Sequence, residues 1–429
     1  MSTTSLQALP GFREFYPESC ALRNYLFAQW REVARRYGFV EYEGPVLEPT
    51  ELYRRKSGEE IVKQLFHFVD AGGREVALRP ETTPSLARMA AAKHKELRKP
   101  IKWYQIGACF RYERQQKGRG REFYQFNCDI LGEASGAADA DLIALAIGVM
   151  RRLGLREGDF VVRVSDRNVW PDFLQREGVA GEHLSAFLQV IDKMEREKPE
   201  LTEARLGELG TSRAAVDAFI AGEGADWAPL QALRADLAAR GLGGFVAVDL
   251  GIVRGLAYYT GVVFEIFDIS RGLRAVAGGG RYDQLCKLIG GSDLAACGFA
   301  MGDMVIGEFV KETPHAWSQY QEWLATYGKI DAYVVVADEA RRPEALAMVE
   351  DLRSAGLATD YAYVPTKVGR QVQAAEALGA RAALTIGSEF PEVRLKDLGA
   401  RQEEVIEAAG AVAAVRALLD RAAGPPRLA

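Results

Sequence analysis

The sequence predicts an α+β protein: a large first domain with hairpin-connected strands, a helical insertion within it, and a smaller C-terminal α/β domain. Three observations carry that prediction. Two strand-like runs, 101–107 and 123–131, flank a basic loop loosened by Gly118 and Gly120, the pattern of a long hairpin. From Asn168 to about Arg240 the composition turns Ala/Leu/Glu-rich, with Gly/Asp breaks near 178–182, 207–211 and 222–226, as successive short helices would. From residue 330 onward strand-like and helix-like segments alternate, an order that predicts a parallel-biased sheet with helices on it. The domains are placed at 1–325 and 326–429.

A chain of 429 residues exceeds what one core accommodates, since single cores stop growing near ~250–300 residues. With 48% hydrophobic and 26% charged residues the composition is that of a soluble globular protein. The net charge of −5 excludes a generally basic nucleic-acid coat, so any RNA contact has to come from local patches, of which Arg114–Arg121 is the densest. Five cysteines without a CxxC pair, and only four histidines, predict buried thiols in a reducing cytoplasm and no zinc site. The N-terminus lacks a charged-then-apolar leader, and no apolar run reaches the ~18 residues of a membrane span.

In chain order, residues 9–18 form a turn-rich entry. Helical spacing over Ala21–Tyr37 ends at Gly38, and 39–49 reads as a strand. Segments 66–69 and 75–79 read as a hairpin around Ala71-Gly72-Gly73, delivering Arg79-Pro80-Glu81-Thr82-Thr83 ahead of a helix over 84–92. Four arginines and one lysine then fall between Arg111 and Arg121. In the run that follows, Gln125, Asn127 and Asp129 share one strand face and Phe126, Cys128 and Ile130 the other. A helix over 138–151 and strands at 160–164, 245–250, 263–267 and 275–283 follow, then a polar linker from Lys311 to about Lys329. Beyond it the alternating segments are 330–337, 341–355, 359–364, 367–379, 381–386, 392–398 and 404–421.

Residues 110–132, FRYERQQKGRGREFYQFNCDILG, closely resemble motif 2 of the class II aminoacyl-tRNA synthetases. LRPETT (78–83) is similar to that family's LRPEGT, and AGGGRYDQL (277–285) to its GGGRYDGL. IVRGLAYYTGVVFE (252–265) resembles the signature VRGLDYYTGTVFE of the histidyl members. The resemblance implies a class II antiparallel-sheet catalytic domain, an anticodon-binding-type C-terminal domain, and a homodimer formed through the helix and strand over 21–49. It implies activation of histidine by ATP and transfer to tRNA(His), with Mg²⁺ accompanying ATP and no protein-bound metal.

Attack by a carboxylate on the α-phosphate of ATP brings negative groups together. Fixed guanidiniums answer that, because they stay charged and fork onto phosphate or carboxylate. By resemblance Arg111 and Arg254 are the catalytic pair. The histidine contacts are Glu81, Thr83, Arg111, Gln125, Asp129, Arg254, Tyr258 and Tyr259. The ATP contacts are Arg111, Glu113, Arg119, Arg121, Phe123, Gly280 and Arg281. The tRNA contacts are Gln116, Lys117, Lys367 and Arg370. Two departures stand out. Ala257 replaces the signature's Asp, and Asp303-Met304-Val305 lacks the motif 3 arginine that packs on adenine. Either Arg281 substitutes for it, or Phe123 and the glycine strand hold adenine alone. The departures keep an alternative open: a non-catalytic paralogue that regulates ATP phosphoribosyltransferase. The intact substrate set and the attached C-terminal domain favour the ligase.

Overall fold

The computed structural model describes residues 6–57, 59–113, 118–194, 197–222, 226–254, 258–269, 272 and 274–423. The chain divides into two compact units, Met1–Gln321 and Glu322–Ala429. The first is built on an eight-stranded sheet. Its spatial order is Val40–Glu41, Ile101–Phe110, Glu122–Leu131, Ala296–Gly302, Ala277–Arg281, Val262–Asp268, Phe160–Asp166 and Val246–Val248. The pairings are antiparallel except at the two edges, where Val40–Glu41 and Val246–Val248 run parallel to their neighbours.

Period-two patterning decides which face is covered. Phe126, Cys128 and Ile130 enter the core, where Trp30 stacks on Phe126 with ring centroids 5.4 Å apart. Trp30 comes from the helix Pro17–Arg36, whose buried stripe is Tyr25, Leu26, Trp30, Val33 and Ala34. A second covering helix, Gly136–Arg152, is apolar nearly all round and correspondingly buried. The opposite face is covered at one end, where Leu131, Val263 and Ala296 pack with Leu86, Ala87 and Ala90 of the helix Thr83–Lys93 and with Leu285 of the helix Leu285–Gly290, and it opens onto a cavity elsewhere. Among its described residues the insertion has five α-helices, Val169–Arg176, Leu184–Lys193, Pro199–Glu208, Arg213–Ala221 and Ala228–Ala239, with Trp170, Phe173 and Phe187 packed together.

The structure corrects three expectations. The strand expected over 39–49 is two pieces, Val40–Glu41 in the main sheet and Leu47–Pro49 in a separate three-stranded sheet with His67–Val69 and Glu75–Leu78. Gly44-Pro45 breaks it, because proline has no N–H to give a ladder. The linker expected from 311 contains a helix, Pro314–Leu324, that buries Ala316 and Tyr320, with Tyr320 edge-on to Tyr25 at 5.3 Å. In the second unit, the helix expected over 404–421 starts only at Ala411, and Gln402–Glu407 is an edge strand paired to Glu392–Asp397. That unit's sheet runs Thr359–Tyr361, Ala332–Val336, Ala382–Ile386, Glu392–Asp397, Gln402–Glu407, with its first two pairings parallel and its last two antiparallel.

Candidate active site

On the open part of that face lies a cavity of about 840 Å³. Its floor is low because two central strands carry almost no side chains there. Gly302 sits opposite Gln125, Ala300 opposite Asn127 and Gly298 opposite Asp129; Gly278 in turn lies between Ala300 and Glu265. A Cβ on Gly298 would strike the Asp129 carboxylate, and one on Gly278 would strike the Arg254 guanidinium. These two glycines therefore mark where functional side chains cross the sheet.

Arg254 donates from Nη1 to Glu265 Oε1 at 2.8 Å, and its guanidinium lies 5.7 Å from the Tyr259 ring centre. Its backbone is left-handed, with φ 51. Arg111 leaves the end of the strand Ile101–Phe110, donates from Nε to the Pro80 carbonyl at 3.0 Å, and lies 5.2 Å over the Phe123 ring. Arg119 and Arg274 complete the cationic lining, Arg119 paired with Glu113 at 2.6 Å. Four arginines and three glutamates line the cavity, so among the described residues it carries an excess of positive charge suited to an anion.

One end of the cavity has different chemistry. Asp129 lies just beneath the lining, 1% exposed, accepting a short hydrogen bond from the Tyr282 hydroxyl, while its Oδ2 has no partner. Burial pushes its carboxyl up to about 7, and the Tyr282 hydrogen bond offsets only part of that. Tyr258 packs 4.7 Å from Tyr259 and edge-on to Tyr282 at 5.8 Å, giving an aromatic box over an acid. Glu81 lines the cavity beside Thr83 and is ion-paired to Lys56, whose ammonium also lies 4.1 Å over the Tyr258 ring. Such an end suits a flat ring bearing an N–H together with an ammonium group.

A family model described as histidyl-tRNA synthetase matches residues 11–304. The chain belongs to the histidyl-tRNA synthetase family. A second model, the anticodon binding domain, matches residues 331–418. Among curated relatives, the histidine–tRNA ligase of Opitutus terrae is 43% identical, over 93% of this chain and 95% of its own length. The chloroplastic/mitochondrial histidine–tRNA ligase of Arabidopsis thaliana is also 43% identical, over 70% of this chain and 65% of its own. The solved histidyl-tRNA synthetase of Nostoc sp. PCC 7120 shares the fold, with a TM-score of 0.75 at 23% identity over 96% of this chain and 99% of that one.

Most residues that the family resemblance singles out converge. Glu81, Thr83, Arg111, Glu113, Arg119, Phe123, Gln125, Arg254, Tyr258 and Tyr259 all line the cavity, and Asp129 lies directly under it. Of the expected ATP contacts, three do not line it. Arg281 is turned away and fully engaged: it contacts Asp139 at 2.5 Å, Asp283 at 3.2 Å, and the carbonyls of Glu133 and Ser135. Gly280 is a packing position against Val262 and Val263. Arg121 stacks on Tyr112 at 4.4 Å, while its backbone N–H donates to Gly11. Gln116, Lys117 and Ala257 lie outside the described residues. Sequence reading passes over Lys56, Glu265, Tyr282 and Arg274. Glu265 and Tyr282 stand inside quoted motifs and were within reach; Lys56 is an ordinary helix residue until the fold turns it under Glu81.

Proposed function

We propose that this histidyl-tRNA synthetase family member is a histidine–tRNA ligase working through the cavity just described. Histidine's imidazole faces Asp129 among the three tyrosines, and its ammonium meets Glu81 and Thr83. Its carboxylate lies between Arg111 and Arg254. A carboxylate oxygen attacks the α-phosphorus of ATP, the bond from that phosphorus to the bridging oxygen breaks, and pyrophosphate leaves toward Arg119. Arg111 and Arg254 oppose the charge that gathers on the α-phosphate, which is where preorganised donors act most strongly. Phe123 offers its face to adenine and Glu113 its edge contacts. In the second step a hydroxyl of the tRNA's terminal ribose attacks the activated carbonyl, and AMP leaves.

Mg²⁺ fits as a companion of the nucleotide. The three lining glutamates are each engaged by Lys56, Arg119 or Arg254, so phosphate oxygens would supply its ligands. For tRNA, Lys367 and Arg370 lie exposed at the start of the helix Val368–Ala377, close in sequence to the exposed Tyr363. A homodimer is supported by apolar side chains left exposed near the N-terminal strands, including Val40, Phe68 and Val69. A cytoplasmic location accords with the absence, among the described residues, of a helix long and apolar enough to cross a membrane.

The observation carrying this reading is that Arg111 and Arg254 converge on one cavity with a buried acid at one end, bonded through one oxygen to Tyr282 and packed about by Tyr258 and Tyr259. The regulatory alternative has less support, because relatives matched over most of the chain are named ligases. The test is charging: purified protein, ATP and a tRNA(His) transcript should give histidyl-tRNA. Binding of both substrates without charging would sink the reading.

A further inference from the structure

The chain lacks an arginine at Asp303-Met304-Val305, and Arg281, one of the two alternatives for its role, is held elsewhere by Asp139 and Asp283. Asp303 cannot serve a phosphate either. Its carboxylate accepts from the Tyr124 N–H at 2.9 Å and pairs with Arg13 at 2.8 Å. The opposite rim supplies a different cation. Ala275, Val276 and Ala277 form one wall, and the chain just before them brings the exposed Arg274 to the cavity mouth. Arg119 reaches the same cavity from the hairpin loop, its side chain 47% exposed. Arg119 is held below the ordinary arginine range first by burial and then, against the pull of Glu113, by the charges of Arg274 and Arg111.

Like charges gathered in one cavity repel, and an anion of several charges relieves that repulsion. The guanidiniums form two tiers. Arg111 and Arg254 are half-buried in the lining, while Arg119 and Arg274 are exposed, on the solvent side, where the polyphosphate tail of a nucleotide would emerge. We infer that Arg274 is a nucleotide-binding residue that takes the outer phosphates of ATP together with Arg119. The inference rests on the reading of this cavity as an ATP site. The same rim could instead meet a tRNA phosphate, and the experiment separates the two.

Histidine-dependent ATP–pyrophosphate exchange contains no tRNA. In it, Arg274→Ala should raise the KM for ATP by roughly tenfold, the scale of one charge-assisted contact, and leave the KM for histidine within about twofold. Arg274→Lys should recover part of the loss. Melting gives a second readout: the Ala variant should gain less in melting temperature from added ATP than the parent does. An unchanged KM for ATP with impaired tRNA charging would reassign Arg274 to tRNA and overturn the inference. A lowered melting temperature with ATP and histidine weakened equally would overturn it in favour of a structural role. If the parent protein shows no exchange, the ligase reading fails, and the ATP-dependent melting shift still decides whether Arg274 binds nucleotide.

Discussion

Arg254 holds a backbone conformation uncommon for a residue with a side chain, and that turn lays its guanidinium across Gly278 onto Glu265. Among the described residues its buried Nε has no partner, a donor poised for a ligand oxygen. Arg254→Ala should cut histidine-dependent exchange by ~10²–10³, the usual loss for one preorganised donor, with little change in melting. Retained exchange would discard the catalytic assignment. Asp129 is buried just beneath the cavity lining. Its carboxyl, ordinarily near 3.8, is raised to about 7 by burial, so between those values the folded protein holds a proton that the unfolded chain releases. Stability is then lost as pH rises through that window. Asp129→Asn should raise the melting temperature of the free protein more at pH 8 than at pH 5; an equal gain at both would show that the carboxyl is not so perturbed. With substrate, Asp129→Ala should weaken histidine far more than ATP. Equal weakening of both would make Asp129 a support of the fold rather than a reader of the imidazole.

The glycine strand Ala277–Arg281 shows how an element divides its work. A Cβ at Gly278 meets the movable end of Arg254, whereas a Cβ at Gly280 meets the backbone carbonyl of Val262 and the Val263 side chain. Gly278→Ala should therefore cost exchange activity with little loss of stability, and Gly280→Ala should lower the melting temperature first; kinetics and melting on both variants read the difference. Sequence pattern made the hairpin legible: Gln125, Asn127 and Asp129 do share the ligand side, with Phe126 and Cys128 in the core. It could not separate Gly278 from Gly280, or Arg119 from Arg121, because both members of each pair have the same residue type and motif context. Only the register across three strands, and the turn that lays Arg121 on Tyr112, tell them apart. The helix Pro314–Leu324 was hidden for a related reason. Its polar, aromatic composition reads as a linker until Ala316 and Tyr320 are seen buried one turn apart.

At the scale of the whole molecule, the order of the units was legible from composition, since helical and alternating segments differ in period. What each unit touches was not, because a surface shows its partner only through exposed apolar area or charge. If the exposed Val40, Phe68 and Val69 are covered by a second copy, sedimentation velocity should give twice the monomer mass, and a Phe68→Asp, Val69→Asp double variant should run as a monomer. The cavity itself is where the account is most exposed to test: an acid under three tyrosines to choose the amino acid, and guanidiniums to split the nucleotide. The direct measurement is ATP–pyrophosphate exchange by the purified protein with each of the twenty amino acids in turn. Exchange with histidine alone is the predicted result; exchange with another amino acid, or with none, would contradict the account.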